Sequence, residues 1–166
     1  MFISPQFAID NNWISGILDP EIQVQPNAID FTLDTLYSIN DDATFFLSNT
    51  DKKMRGGVEQ LTDDNNWTLS PNKVYDGMSS MYVNVPEGVA ALLIIRSTLN
   101  RNGIFLTSGL YDSGFQGHIA FALHNRSGTA VIERGTRVGQ IIFVESNSVG
   151  MYAGGYNHTA GTHHSN

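Results

Sequence analysis

The chain has 166 residues, 41% of them hydrophobic and 15% charged, with 16 glycines and a formal net charge of −7. That composition fits one folded domain, or one domain plus a tail, and excludes a disordered chain. The acidic balance argues against a protein that coats nucleic acid, since phosphate backbones need a basic surface, but two or three arginines would still suffice for a nucleotide site.

With no cysteine there is no disulfide framework, thiolate zinc site or cysteine nucleophile, and the zinc-type nucleobase deaminases are excluded with them. The longest apolar run, Val89 to Ile95, is far short of a membrane span. Met1 to Phe7 lacks the basic and apolar regions of a signal peptide, so a soluble, cytoplasmic protein with no membrane partner is expected.

Ser4-Pro5 reads as a helix start, a hydroxyl cap before proline at the first helical position. Phe7, Ile9, Trp13, Ile14 and Ile17 follow at roughly helical spacing, with Gly16 where the helix should stop. After Pro20 short β-branched and aromatic stretches alternate with Asn, Asp, Gly and Pro clusters. Strands are expected over Ala28–Leu33, Thr44–Leu47, Lys73–Tyr75, Met81–Val85 and Ala90–Arg96, then Ile104–Thr107, His118–Leu123, Ala130–Ile132 and Gln140–Val144. This is the pattern of a mainly β barrel or jelly roll, without internal repeat. Ser97 to Gly103 interrupts it as a capped helical turn ending in a left-handed glycine. From Met151 the chain is rich in Gly, His and Asn, so residues 1–150 are expected to form the domain and 151–166 a mobile arm.

Three stretches carry chemistry. Arg96-Ser97-Thr98-Leu99-Asn100-Arg101 places two guanidinium groups and hydroxyls at a helix start, where anions sit well; a capped turn with surface arginines reads equally. Gly109 to Gly117 holds three glycines around Asp112, either a carboxylate at a pocket or an Asx-turn residue. Gly135-Thr136-Arg137-Val138-Gly139-Gln140 leads into an apolar strand. His163-His164 is read as a solvated tail, His118 and His124 as strand residues facing one side, and Trp13 and Trp67 as packing residues.

Taken together, these stretches resemble the superfamily of trimeric dUTPases and dCTP deaminases. The first helix with Gln25 to Leu33 resembles the deaminase-style N-terminus, and Arg96 to Arg101 the phosphate-binding motif. Gly109 to Gly117 with Asn125 is similar to the nucleoside motif, and Gly135 to Gln140 to the motif ending in a phosphate-contacting glutamine.

The resemblance implies a dUTPase-like distorted β-barrel, a homotrimer with sites between subunits, and a deoxynucleoside triphosphate as ligand. Where deaminases carry a proton-shuttling glutamate, this chain has Ala122, flanked by Phe121 and Leu123. The implied reaction is therefore dUTP and water to dUMP and pyrophosphate. In it Asp112 acts as base for the water, while Arg96, Ser97, Thr98, Arg101 and Gln140 hold the phosphates. Mg²⁺ is held mainly by the substrate phosphates. Gly109, Tyr111 and Phe115 form the nucleoside pocket, with Phe115 beneath the deoxyribose. Tyr156 stacks on the base, His158 touches a phosphate, and Asp30 and Arg137 support. The alternatives are a dCTP or modified-pyrimidine triphosphate hydrolase or deaminase of the same fold, or a non-catalytic nucleotide-binding regulator or structural protein.

Overall fold

The computed structural model describes residues 1–55, 59–60, 65–107 and 109–157. Helix α1 (Pro5–Asp10) starts where Ser4-Pro5 predicts, but the Ser4 hydroxyl makes no capping bond; its carbonyl accepts from Ala8 N at 3.1 Å. The helix ends six residues before Gly16. Asn12 turns left-handed (φ 58°), and Ile14 becomes extended because pairing with Val83 buries it. The helical spacing of Trp13, Ile14 and Ile17 was therefore misleading: strand β1 (Ile14–Ser15) occupies that stretch. Short α2 (Pro20–Gln23), capped by Asp19 Oδ1 accepting from Glu21 N at 3.1 Å, was not expected.

The strands that follow are β2 (Ile29–Thr32), β3 (Thr35–Ser38), β4 (Phe46–Leu47), β5 (Lys52–Lys53), β6 (Glu59–Gln60), β7 (Asn66–Leu69), β8 (Lys73–Asn84) and β9 (Val89–Ile95). After α3 (Ser97–Asn100) come β10 (Ile104–Thr107), β11 (Leu110–Tyr111), β12 (Gln116–Asn125), β13 (Ala130–Glu133) and β14 (Arg137–Glu145). The fold is mainly β, as expected.

One sheet runs β10-β12-β8-β3-β6 with β1 also on β8; a second runs β11-β9-β14-β2; β13 pairs with β7 and β4 with β5. The expected strands Lys73–Tyr75 and Met81–Val85 are one twelve-residue strand. Between them the polar Ser79-Ser80 is satisfied by the Asp34 carboxylate, which accepts from Ser80 N at 2.8 Å and from the Ser80 and Ser79 hydroxyls at 3.1 and 3.3 Å.

The core lies between the two large sheets. Along β12 burial alternates strictly, so Gly117, Ile119, Phe121, Leu123 and Asn125 face inward and Gln116, His118, Ala120, Ala122 and His124 face outward. Phe121 meets Phe31 of β2 at 5.0 Å between ring centroids. A Cβ at Gly139 would stand 2.2 Å from the Phe31 ring, so only glycine lets β14 pass that close. Trp67 is fully buried, and Trp13 packs at 5.8 Å on Phe143.

Candidate nucleotide site

Asp30 is the hub of one half of the site. Its carboxylate is 3% exposed and lies in register with Gln140 across the β2–β14 ladder. Gln140 Nε2 donates to Oδ1 at 2.8 Å and Arg137 Nη1 to Oδ2 at 2.9 Å. Arg96 leaves the end of β9 with Nε 3.8 Å from the same Oδ2, and its Nη1 donates to the Arg137 carbonyl at 2.9 Å. A register shift between Arg137 and Gly139 gives β14 the irregularity that accompanies this placement. Two guanidinium groups against one carboxylate leave a local excess of one positive charge, about a quarter exposed on each arginine side chain.

Ser97 and Thr98, exposed at the start of α3, and Arg101, exposed at its end, lie just beyond Arg96. The first amides of a helical turn lack intrahelical acceptors, so this corner adds donors to the positive cluster. Gly103 closes the turn at φ +78°, as predicted. Asp30, expected to support an arginine, is paired with Arg137 and lies near Arg96, whereas Gln140, expected on phosphate, donates to Asp30.

Two residues of this half escaped the sequence reading. Gln23 is buried; its Oε1 accepts from Leu18 N and Asp19 N, and its Nε2 donates to the Asp30 carbonyl at 2.9 Å. The neighbouring Ile22 carbonyl accepts from Arg137 Nη1. The available signal was Asp19-Pro20, a cap and first-position proline announcing a helix there.

Asp112 lies elsewhere. Tyr111 pairs with Ala91 near the start of β9, so Asp112 and Arg96 stand at opposite ends of that strand, about 20 Å apart at 3.3 Å per residue. Asp112 is exposed, and among the described residues its carboxylate has no hydrogen bond or ion pair. Its carbonyl accepts from Phe115 N at 3.0 Å, closing a turn that Gly114 completes at φ +87°.

Tyr111 is buried and faces inward. Its hydroxyl donates to the Ala120 carbonyl at 3.1 Å and accepts from Ala120 N at 3.2 Å, and burial pushes its pKa up to about 12. Phe115 is buried too, its ring 4.7 Å from Tyr111 and 5.7 Å from Tyr152. Tyr156 is 40% exposed with Lys52 Nζ 5.3 Å from its ring centroid. Gly109 precedes β11, while Ser108, His158, His163 and His164 lie outside the described residues. A single protomer thus gathers the basic cluster in one place and the Asp112 turn in another.

Ala122 faces outward on β12, with Thr107 of β10 and buried Asp76 of β8 as its cross-strand partners. Residues opposite one another share a face. Phe121 and Leu123 do point inward, but the chain neighbours are not the whole environment of this position: a carboxylate stands one strand away. His118 and His124 are on this outward face as expected, His124 Nε2 3.0 Å from the Thr107 hydroxyl.

An open groove of about 510 Å³ runs between α3 and β13; of the residues expected to bind substrate, only Thr98 lines it. No helix among the described residues is long and apolar enough to cross a membrane.

Comparison with known proteins agrees with this picture. Residues 9–146 match the model of the dCTP deaminase-like family. A protein of Methanopyrus kandleri named probable deoxyuridine 5'-triphosphate nucleotidohydrolase is 32% identical over 82% of this chain and 88% of its own. A dUMP-forming dCTP deaminase of Bifidobacterium animalis is 32% identical over 89% and 79%. The crystal structure of the 2'-deoxycytidine 5'-triphosphate deaminase of Agrobacterium tumefaciens shares the fold, with a TM-score of 0.66 at 18% identity over 86% of this chain. This chain spans 47% of that one. Fold, motif order and kinship converge, and the chain belongs to the dCTP deaminase-like family.

Proposed function

We propose that the protein hydrolyses dUTP to dUMP and pyrophosphate, supplied as the Mg²⁺ complex. The observation that carries this reading is Ala122: at the position where a deaminase of this family holds its glutamate, β12 presents a methyl group, which transfers no proton. A positioned acid or base of that kind is worth ~10²–10⁴ in rate. Kinship with proteins named for dUTP hydrolysis supports the same conclusion.

In this mechanism the water oxygen bonds to the α-phosphorus, the bond to the β-phosphate breaks, and pyrophosphate leaves. Asp112 takes the proton of the water. Arg96, Ser97, Thr98 and Arg101 hold the phosphates, where fixed positive charge stabilises charge moving onto the leaving group. Asp30, braced through its carbonyl by Gln23, holds Arg137 and Gln140 in place and keeps Arg96 close.

Among the described residues no group of three or more His, Asp or Glu side chains is placed to hold a cation. The donor set suits a magnesium ion carried on the triphosphate, and no step is assigned to a resident metal. Because Asp112 and Arg96 lie at opposite ends of β9, one active site takes them from different copies, which requires an oligomer; a trimer is the assembly we propose.

Asp76 favours a second reading. A buried carboxylate in register with Ala122 stands where a proton shuttle for the cytosine amino group could be re-supplied from β8. The deciding measurement is release of pyrophosphate and of ammonia from dUTP, dCTP, dTTP and UTP with Mg²⁺. Pyrophosphate from dUTP without ammonia from dCTP is the expected result. Ammonia release that disappears in Asp76→Asn would replace the hydrolase with a deaminase, and tight nucleotide binding with neither product would identify a regulator.

A further inference from the structure

The turn that carries Asp112 is gripped by the chain's own C-terminal segment. Tyr152 N donates to the Ser113 carbonyl at 2.6 Å. The Ser113 hydroxyl donates to the Val89 carbonyl at 2.6 Å and is hydrogen-bonded to the Ser148 hydroxyl. Asn157 Oδ1 accepts from Gln116 N at 3.0 Å, while its Nδ2 lies 3.4 Å from the Gly114 carbonyl and 3.5 Å from that of Tyr152. A Cβ at Gly114 would stand 3.0 Å from Tyr152 N, and one at Gly117 would stand 3.5 Å from the Tyr156 carbonyl, so the segment lies directly on the backbone of the turn.

We propose that Asn157 is a positioning residue, latching the C-terminal segment onto the Asp112 turn of its own protomer and so setting the direction of the Asp112 carboxylate. The proposal rests on the reading of Asp112 as the base. Since no side chain among the described residues holds that carboxylate, its aim is set by the backbone from Asp112 to Gln116. A carboxamide is suited to this work because it accepts and donates at once. Asn157 thereby ties Gln116, Gly114 and Tyr152 together with one side chain. An error of about 1 Å in a reacting group costs up to ~10² in rate, so a loosened turn is felt in the chemical step.

The test compares Asn157→Ala and Asn157→Asp with wild type in dUTP kinetics and in amide hydrogen exchange at Gln116. Asn157→Ala is expected to lower kcat about tenfold while KM stays within about twofold, because Arg96, Ser97, Thr98 and Arg101, which hold the phosphates in the proposed mechanism, are untouched. Exchange at Gln116 should speed up about tenfold as the turn opens locally. Asn157→Asp keeps the acceptor for Gln116 N but turns a carboxylate oxygen toward the Gly114 and Tyr152 carbonyls, so it should recover part of the protection at Gln116 and fall between Asn157→Ala and wild type in kcat. Unchanged kcat in Asn157→Ala, or a raised KM at unchanged kcat, overturns the proposal. If wild type turns over no nucleotide, the reading of Asp112 falls; exchange at Gln116 unaltered in Asn157→Ala would by itself dispose of the latch.

Discussion

The two halves of the site are built on opposite plans. Around Asp30, order comes from charge: a buried carboxylate gathers Arg137, Gln140 and Arg96, and the ladder between β2 and β14 sets the register that brings them together. Around Asp112 order comes from backbone and rings. The Asp112 carboxylate is exposed, while Tyr111, Phe115 and the stretch from Ser148 to Asn157 fix the turn beneath it. On the proposed reading the Asp30 half holds the triphosphate, and buried, mutually locked charges suit the holding of a highly charged ligand in one pose. On the same reading the Asp112 half supplies the base, and its carboxylate is exposed because a base has to meet water and substrate.

The largest effect is expected where the exposed carboxylate is lost. Asp112→Asn should reduce kcat by about 10²–10⁴ with little change in unfolding midpoint, because no contact among the described residues depends on the charge. Co-expression of Asp112→Asn with Arg101→Ala sharpens the contrast between the halves. If each site draws Asp112 and the arginines from different copies, mixed oligomers regain activity that neither variant has alone. Mixtures as inactive as their parents would put both halves of the site in one chain and break the account given of β9.

Asp30→Ala should act in the reverse manner. Two guanidinium groups and the Gln140 amide lose a shared buried acceptor, and removing one member of such a set costs about 3–5 kcal/mol in unfolding free energy. Denaturant unfolding measures it. Loss below about 1 kcal/mol would mean that the cluster behaves like a set of surface pairs.

The β class, the α3 turn and its left-handed Gly103 were legible in the sequence because each is a local property. The polar motifs also stood in recognisable order. What the sequence hid depends on pairing across the fold. Lys73–Tyr75 and Met81–Val85 read as two strands until Asp34, 45 residues earlier than Ser79, supplies the acceptor for Ser79-Ser80 between them. Ile14 reads as helical until Val83 draws it into a sheet. At the site, Phe121 and Leu123 are visible as chain neighbours of Ala122, whereas Asp76 becomes a neighbour only through the register of β12 on β8. Gln23 and Asn157 escaped for the same reason: an amide side chain carries no sign of its partners until the strands are in place.

The smallest expected effect concerns Tyr111 and depends on pH. Its phenol, held between Ala120 N and the Ala120 carbonyl, ionises at about 12 in the folded chain against 10.0 for an unburied tyrosine. Because the folded pKa is the higher one, the unfolded chain releases its proton first. Stability is therefore intact below pH 10 and is lost as pH rises toward 12, by about 2–3 kcal/mol for two pH units at 1.36 kcal/mol each. Tyr111→Phe has no such proton. It should start about 1–3 kcal/mol less stable at neutral pH, having left the Ala120 amide and carbonyl without their partner, and lose less across the alkaline window. The two curves should approach one another near pH 12. Arginine stays charged throughout that range, so alkaline opening should begin at the Asp112 turn while the Asp30 cluster holds. Amide exchange at Ala120 should rise ahead of exchange at Asp30. A simultaneous rise would show that the two halves, however differently built, open as one cooperative unit.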